Sequence, residues 1–115
     1  MVSNDEIKEA SNRVADLKVK LSDASEKELQ CKEALTIAED AIILKYADNP
    51  KELGGNEPAR KARIAEVTAI QKNALKIAET EKRNVQLQFE LASMRYDAVK
   101  WQIRNNQVNM KLEVI

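Results

Sequence analysis

Every proline and glycine in the chain, Pro50, Gly54, Gly55 and Pro58, falls between positions 50 and 58. These residue types are the strongest helix breakers. Elsewhere the helix formers Ala, Glu, Lys, Leu, Gln and Arg dominate. A chain of 115 residues with a single cluster of breakers has room for one small domain. It predicts an all-α fold: two long helices joined at one corner, with helix one over about 4–46, the corner at 47–56 and helix two over about 57–104.

The start of helix one is marked by a capping box, Ser3 with Glu6, flanked by Val2 and Ile7 at staple positions. From there apolar residues step by three and four through Ile7, Ala10, Val14, Leu17, Leu21 and Ala24, then Glu28, then Cys31, Leu35, Ala38 and Ile42. This is a heptad seam with one polar intrusion. Acid-to-base pairs four residues apart support the helix: Glu9 with Arg13, Asp16 with Lys20, Asp23 with Lys27, and Glu28 with Lys32.

In the corner, Asn49 precedes Pro50 and is turned away from helical conformation. Pro50 suits the first position of a short helical turn capped by Asn49. Gly54 and Gly55 are expected to stop that turn with left-handed backbone angles. Asn56 caps the next helix, with Pro58 in its first turn. A corner of about ten residues makes the two long helices antiparallel neighbours.

On helix two the seam reads Val67, Ile70, Ala74 and Ile77, slips through a polar patch at Thr80–Asn84, and resumes at Leu87, Leu91, Met94, Ala98 and Trp101. Folding about the corner brings Glu28 towards that patch, where Lys82 or Arg83 is a suitable partner. Near the corner the apolar surface widens: Ala34, Ile37, Ala41 and Leu44 form a second stripe on helix one, and Ile64, Leu75 and Ala78 lie beside the seam of helix two. A two-helix hairpin buries one stripe per helix, and one layer of helices buries little surface. Self-association is therefore expected, most simply a dimer forming a four-helix bundle.

The tail, residues 105–115, reads two ways. Val108, Met110, Leu112 and Val114 alternate with polar residues, which predicts a short C-terminal strand. Val108, Leu112 and Ile115 also fit helical spacing, which predicts a continuation of the helix.

Composition narrows the function classes. A third of the residues are charged and only four are aromatic, Tyr46, Phe89, Tyr96 and Trp101, the profile of a coiled coil. Residues 1–50 hold 7 basic and 11 acidic side chains, and residues 51–115 hold 12 and 8, so the arms have opposite charge. There is no histidine and one cysteine, Cys31 at a seam position. That removes imidazole bases, histidine-based triads and the usual zinc sites. Gly54–Gly55 lacks the Lys-Ser/Thr continuation of a phosphate loop. The expectation is a non-enzymatic protein with no catalytic residues, cofactor or metal. The single cysteine fits a reducing compartment. The longest apolar run in the helical stretches, Ala41–Leu44, is far too short to span a bilayer. Acids at positions 5 and 6 are unlike a signal peptide. Cytoplasmic localisation and no membrane contact follow as expectations.

Two partner classes are in play. Leu53, Arg60 and Arg63 at the corner, and Trp101, Val108, Met110 and Leu112 towards the tail, are the candidate contacts for another protein, because exposed apolar residues grouped at one end mark an interface. The alternative is nucleic acid, bound by Arg60, Lys61, Arg63, Lys82 and Arg83. Interspersed Glu52, Glu57 and Glu66, and the lack of stacking aromatics, weigh against it.

The corner segment "KYADNPKELGGNEPARKARI", residues 45–64, resembles a segment found in small uncharacterised coiled-coil proteins of bacteriophages and related mobile elements. The resemblance covers 20 of 115 residues and carries no catalytic motif. It implies a bacterial cytoplasm or virion setting, and roles such as inhibitor of host or defence factors, assembly factor or recombination accessory.

Overall fold

The computed structural model describes the backbone of residues 3–114 and the side chains of residues 3–109. Among these the protein is all-α: α1 Asn4–Lys45, α2 Pro50–Leu53, α3 Glu57–Val67 and α4 Ala69–Val114. The chain forms two compact units. A corner unit comprises residues 24–82, and a terminal unit comprises the first 23 residues with those from Arg83 onward.

The start of α1 follows its sequence signal. The Glu6 amide donates to Ser3 Oγ at 3.2 Å, satisfying one orphan donor of the first turn. The staple residue Val2 lies outside the described residues. At the corner, α2 begins with Pro50 in its first turn after Asn49. Asn49 serves through its backbone, its carbonyl accepting from the Glu52 amide at 3.1 Å, and its side chain makes no capping bond. Asn56 does cap α3: its Oδ1 accepts from the Ala59 amide at 2.9 Å.

The glycines differ from expectation. Neither has a positive φ, and Gly54 is extended at φ 175°, ψ 149°. Gly54 is instead required by close approach. A Cβ there would lie 2.7 Å from Arg60 N and 2.9 Å from Ala59 C. The α2 turn can therefore press onto the first turn of α3 only where a side chain is missing. Arg60 completes the joint, its Nε donating to the Gly54 carbonyl at 3.2 Å.

The second arm is two helices rather than one, with the break at Thr68 (φ −98°, ψ 15°). Thr68 is fully buried, and its Oγ1 donates to the Ile64 carbonyl at 2.7 Å. Such back-bonding competes with the helix ladder, but Thr36 and Thr80 make the same bond inside continuous helices, so Thr68 is distinguished by its burial rather than by the bond. The main-chain bonds Thr68 N to Ile64 O and Lys72 N to Thr68 O persist, both 3.0 Å, so the interruption is one residue wide. At the other end α4 extends to Val114, past the boundary expected near 104, so of the two readings of the tail the helical continuation stands and the C-terminal strand is corrected. A lone strand has no sheet to complete its hydrogen bonds, whereas a helix satisfies its own.

In the corner unit Lys27 Nζ meets Glu81 Oε2 at 3.3 Å and Lys82 Nζ meets Glu28 Oε2 at 3.7 Å. Residues 54 apart in sequence are brought together, so within this unit the chain doubles back on itself. The inward face of α1 is the seam read from sequence: Ile7, Ala10, Val14, Leu17, Leu21, Ala24, Glu28, Cys31, Leu35, Ala38 and Ile42 are all buried or half-buried.

The second arm turns a different face inward. Its buried and half-buried row is Ile64, Thr68, Gln71, Leu75, Ala78 and Lys82 in the corner unit, and Val85, Phe89, Ala92, Tyr96, Val99 and Ile103 in the terminal unit. The row expected to be the seam is exposed throughout: Val67, Ile70, Ala74, Ile77, Leu87, Leu91, Met94, Ala98 and Trp101. The inward row keeps alternating steps of three and four from Ile64 to Ile103, with no slip. An unbroken 3.5-residue period tracks a neighbouring helix along its length, and a row that slips rotates away from it.

Candidate functional site

The exposed row makes surface features in each unit. In the terminal unit Leu87, Leu91, Met94, Ala98 and Trp101 stand outward on α4 with Val108 one heptad beyond Trp101. Their steps of four and three place them in one line along the helix. Leu87, Leu91, Met94, Trp101 and Val108 are each more than half exposed. Beside Trp101, 60% exposed, lies a hollow of about 240 Å³ lined by Asp97, Lys100, Trp101 and Arg104. Lys100 Nζ rests 4.5 Å from the Tyr96 ring centroid and 3.5 Å from Asp97 Oδ1, which holds the cation at the rim and leaves the indole clear. A solvent-facing aromatic rimmed by Arg and an ion pair is the composition of an interface anchor.

In the corner unit two apolar rows are exposed: Ala34, Ile37, Ala41 and Leu44 on α1, and Val67, Ile70, Ala74 and Ile77 on the second arm.

The residues proposed from sequence fall in several places. Leu53 is buried, which corrects the expectation that it stands exposed at the corner: α2 folds its apolar side onto α3. Arg60 is half-buried and held by Gly54. Arg63 is exposed, 3.7 Å from Glu66. Trp101 and Val108 are exposed, and the side chains of Met110 and Leu112 lie outside the described residues. Leu87, Leu91 and Met94 were assigned to the core by apolar spacing alone; the slip at Thr80–Asn84 was the signal that they face outward.

The basic residues of the nucleic-acid alternative are dispersed and paired. Lys61 Nζ lies 3.6 Å from Glu57 and Lys82 Nζ 3.7 Å from Glu28, while Arg83 is exposed. Together with Arg60 and Arg63, four of the five already face a carboxylate or a carbonyl.

The carboxyl of Glu28 is clearly shifted by its environment. Its Oε1 takes Lys32 Nζ at 3.0 Å and its Oε2 takes Lys82. The Lys32 hydrogen bond, reinforced by the Lys82 charge and opposed by partial desolvation, holds its carboxyl below the ordinary value. This is a structural clamp between the arms of the corner unit. Among the described residues no group of three or more metal-ligating side chains is gathered. No helix there is long and apolar enough to cross a membrane.

Comparison with known protein families, curated proteins and solved structures returned no match.

Proposed function

We propose that the protein is an antiparallel two-helix coiled-coil hairpin that acts as a non-enzymatic protein-binding or scaffold module. Its partner surface is the outward row of α4 in the terminal unit. The single observation carrying this reading is the line Leu87–Leu91–Met94–Ala98–Trp101–Val108, exposed and spaced as a coiled-coil seam. Exposed apolar rows of this length mark interaction sites on folded proteins, and their 3.5-residue period fits an apolar helix of the partner. The hollow beside Trp101 supplies the anchor point. A bacteriophage inhibitor or assembly factor is consistent with such a module. The dispersed, paired basic side chains favour this reading over nucleic-acid binding.

The test is photo-crosslinking in the cell that makes the protein. A photoreactive residue replacing Met94 or Trp101 is expected to capture one heterologous protein, and the same probe replacing Glu90, off the row, is expected to capture none. Equal capture at all three positions, or none at any, rejects the surface.

A further inference from the structure

The two exposed rows of the corner unit belong together. On α1 the row Ala34, Ile37, Ala41 and Leu44 lies one residue before the inward positions Leu35, Ala38 and Ile42. On the second arm the row Val67, Ile70, Ala74 and Ile77 likewise lies one residue before Thr68, Gln71, Leu75 and Ala78. One residue is a rotation of about 100° about an α-helix. Because the arms run in opposite directions, that rotation is clockwise on one and anticlockwise on the other when both are viewed from the corner. Both rows therefore point out of the same side of the hairpin.

Their levels also match. Counting from the Glu28–Lys82 contact places Ala34 within one residue, about 1.5 Å, of the level of Ile77, and likewise Ile37 of Ala74, Ala41 of Ile70 and Leu44 of Val67. In three of these four rungs an alanine stands opposite an isoleucine. Within one chain these residues do not cover each other, since all eight are exposed and Ile70 is 81% exposed.

We propose that this face is closed by a second copy of the same chain, related by a two-fold axis parallel to the helices. With both corners at the same end, α1 of each copy lies antiparallel against the second arm of the other. The same rungs then meet across the interface, twice: Ala34 against Ile77, Ile37 against Ala74, Ala41 against Ile70, Leu44 against Val67. Small-against-large pairing lets the helices interdigitate at native packing density. The contact joins an acidic segment of one copy to a basic segment of the other, since within the corner unit residues 24–50 hold 3 basic and 6 acidic side chains and residues 51–82 hold 7 and 5. Its flanks avoid like charge: Glu33 and Asp40 border the α1 row near the levels of Thr80 and Asn73 on the other, and Glu66, which borders the corner end of that second row, lies near the level of Ala47. Identical self-complementary faces give a closed isologous dimer.

The interface ends where the pattern ends. In the terminal unit the α1 positions one before the inward face are Glu6, Glu9, Arg13, Asp16, Lys20 and Asp23. The dimer is thus a four-helix bundle in the corner unit. It uses a surface separate from the α4 row around Trp101, and does not depend on that row's function.

Light scattering of the full chain is expected to give twice its 13.0 kDa. Ile70→Glu, a change at a position exposed in the single chain, is expected to give one chain mass with its helical circular dichroism retained. The pairing is read separately by mixing two single-cysteine chains made in a Cys31→Ser background, Ala41→Cys and Ile70→Cys, and oxidising them. The 41–70 adduct is expected to exceed the 41–41 and 70–70 adducts together. A wild-type mass of one chain, a two-fold mass unaffected by Ile70→Glu, or a predominance of like-with-like adducts each overturns the proposal. The first outcome would assign the face to a different protein. Crosslinking at Trp101 is unaffected by any of these results, so the two readings fail independently.

Discussion

Glu28 and Lys82 meet at 3.7 Å, each at a half-buried position of its own helix's inward row, and Lys32 shares the same carboxylate. An ion pair among apolar neighbours is weak as a source of stability and well suited to fixing register. Sliding one arm by a turn would separate Lys82 from the carboxylate and leave Glu28 with Lys32 of its own helix alone.

Acid should loosen this clamp. The Glu28 carboxyl is held below its ordinary value of 4.5, so the folded state binds its proton less readily than the unfolded state. Its stabilisation is complete above that value and disappears as pH falls through the lower, folded-state value. Thermal melts of the wild type and Glu28→Gln should differ at neutral pH and converge in acid. A difference independent of pH between 7 and the acid limit would remove the carboxylate from the explanation.

The two glycines should behave oppositely. Gly54→Ala forces a Cβ to within 3 Å of the α3 backbone, and overpacking of this kind costs about 1–3 kcal/mol. Gly55 has nothing within 4 Å of the equivalent position and no positive φ. Gly55→Ala should be neutral or stabilising by about 0.4–1 kcal/mol through the unfolded chain. Urea denaturation midpoints of the two variants decide this.

Gln71 sits on the inward row with its Oε1 buried and without a hydrogen-bond partner among the described residues. An unsatisfied buried acceptor costs about 1–3 kcal/mol. Gln71→Leu, which removes it and extends the apolar row, should raise the melting temperature.

Leu17 and Leu87 form a matched pair on opposite faces. Leu17 is fully buried and Leu87 is 56% exposed. Leu17→Ala should cost about 2–5 kcal/mol. Leu87→Ala should stay within about 0.5 kcal/mol in the isolated protein while weakening capture of the α4 partner. Comparable losses in chemical denaturation would mean that the inward face of α4 has been misassigned.

Much of this arrangement is legible without coordinates. The Ser3 cap, the Pro50 turn, the Asn56 cap and the whole inward row of α1 follow from local spacing, because each depends on residues within one or two helical turns. The pairing of Glu28 with Lys82 also follows, since counting back from one corner fixes the level of every residue within about a turn. The break at Thr68 does not. Threonine is tolerated in helices, and Thr36 and Thr80 make the same hydroxyl-to-carbonyl bond in unbroken, exposed stretches; what sets Thr68 apart is its complete burial, which arises only on folding. The conformation of Gly54 is hidden for a similar reason: the need for a missing side chain arises from Arg60 and Ala59, which reach it only after folding.

The sequence by itself determined two arms, one reversal between them and the face that α1 turns inward, because these are consequences of chain-local chemistry. Only the tertiary structure decided how the second arm is rotated about its own axis. It carries two apolar rows, one residue or about 100° apart in the corner unit and on nearly opposite faces beyond the slip at Thr80–Asn84. In each unit the inward row is the evenly stepped one, with Gln71 and Lys82 in it at the corner, and the more apolar row, Val67 to Ile77 and Leu87 to Trp101, faces outward, because only an evenly stepped row stays against a neighbouring helix.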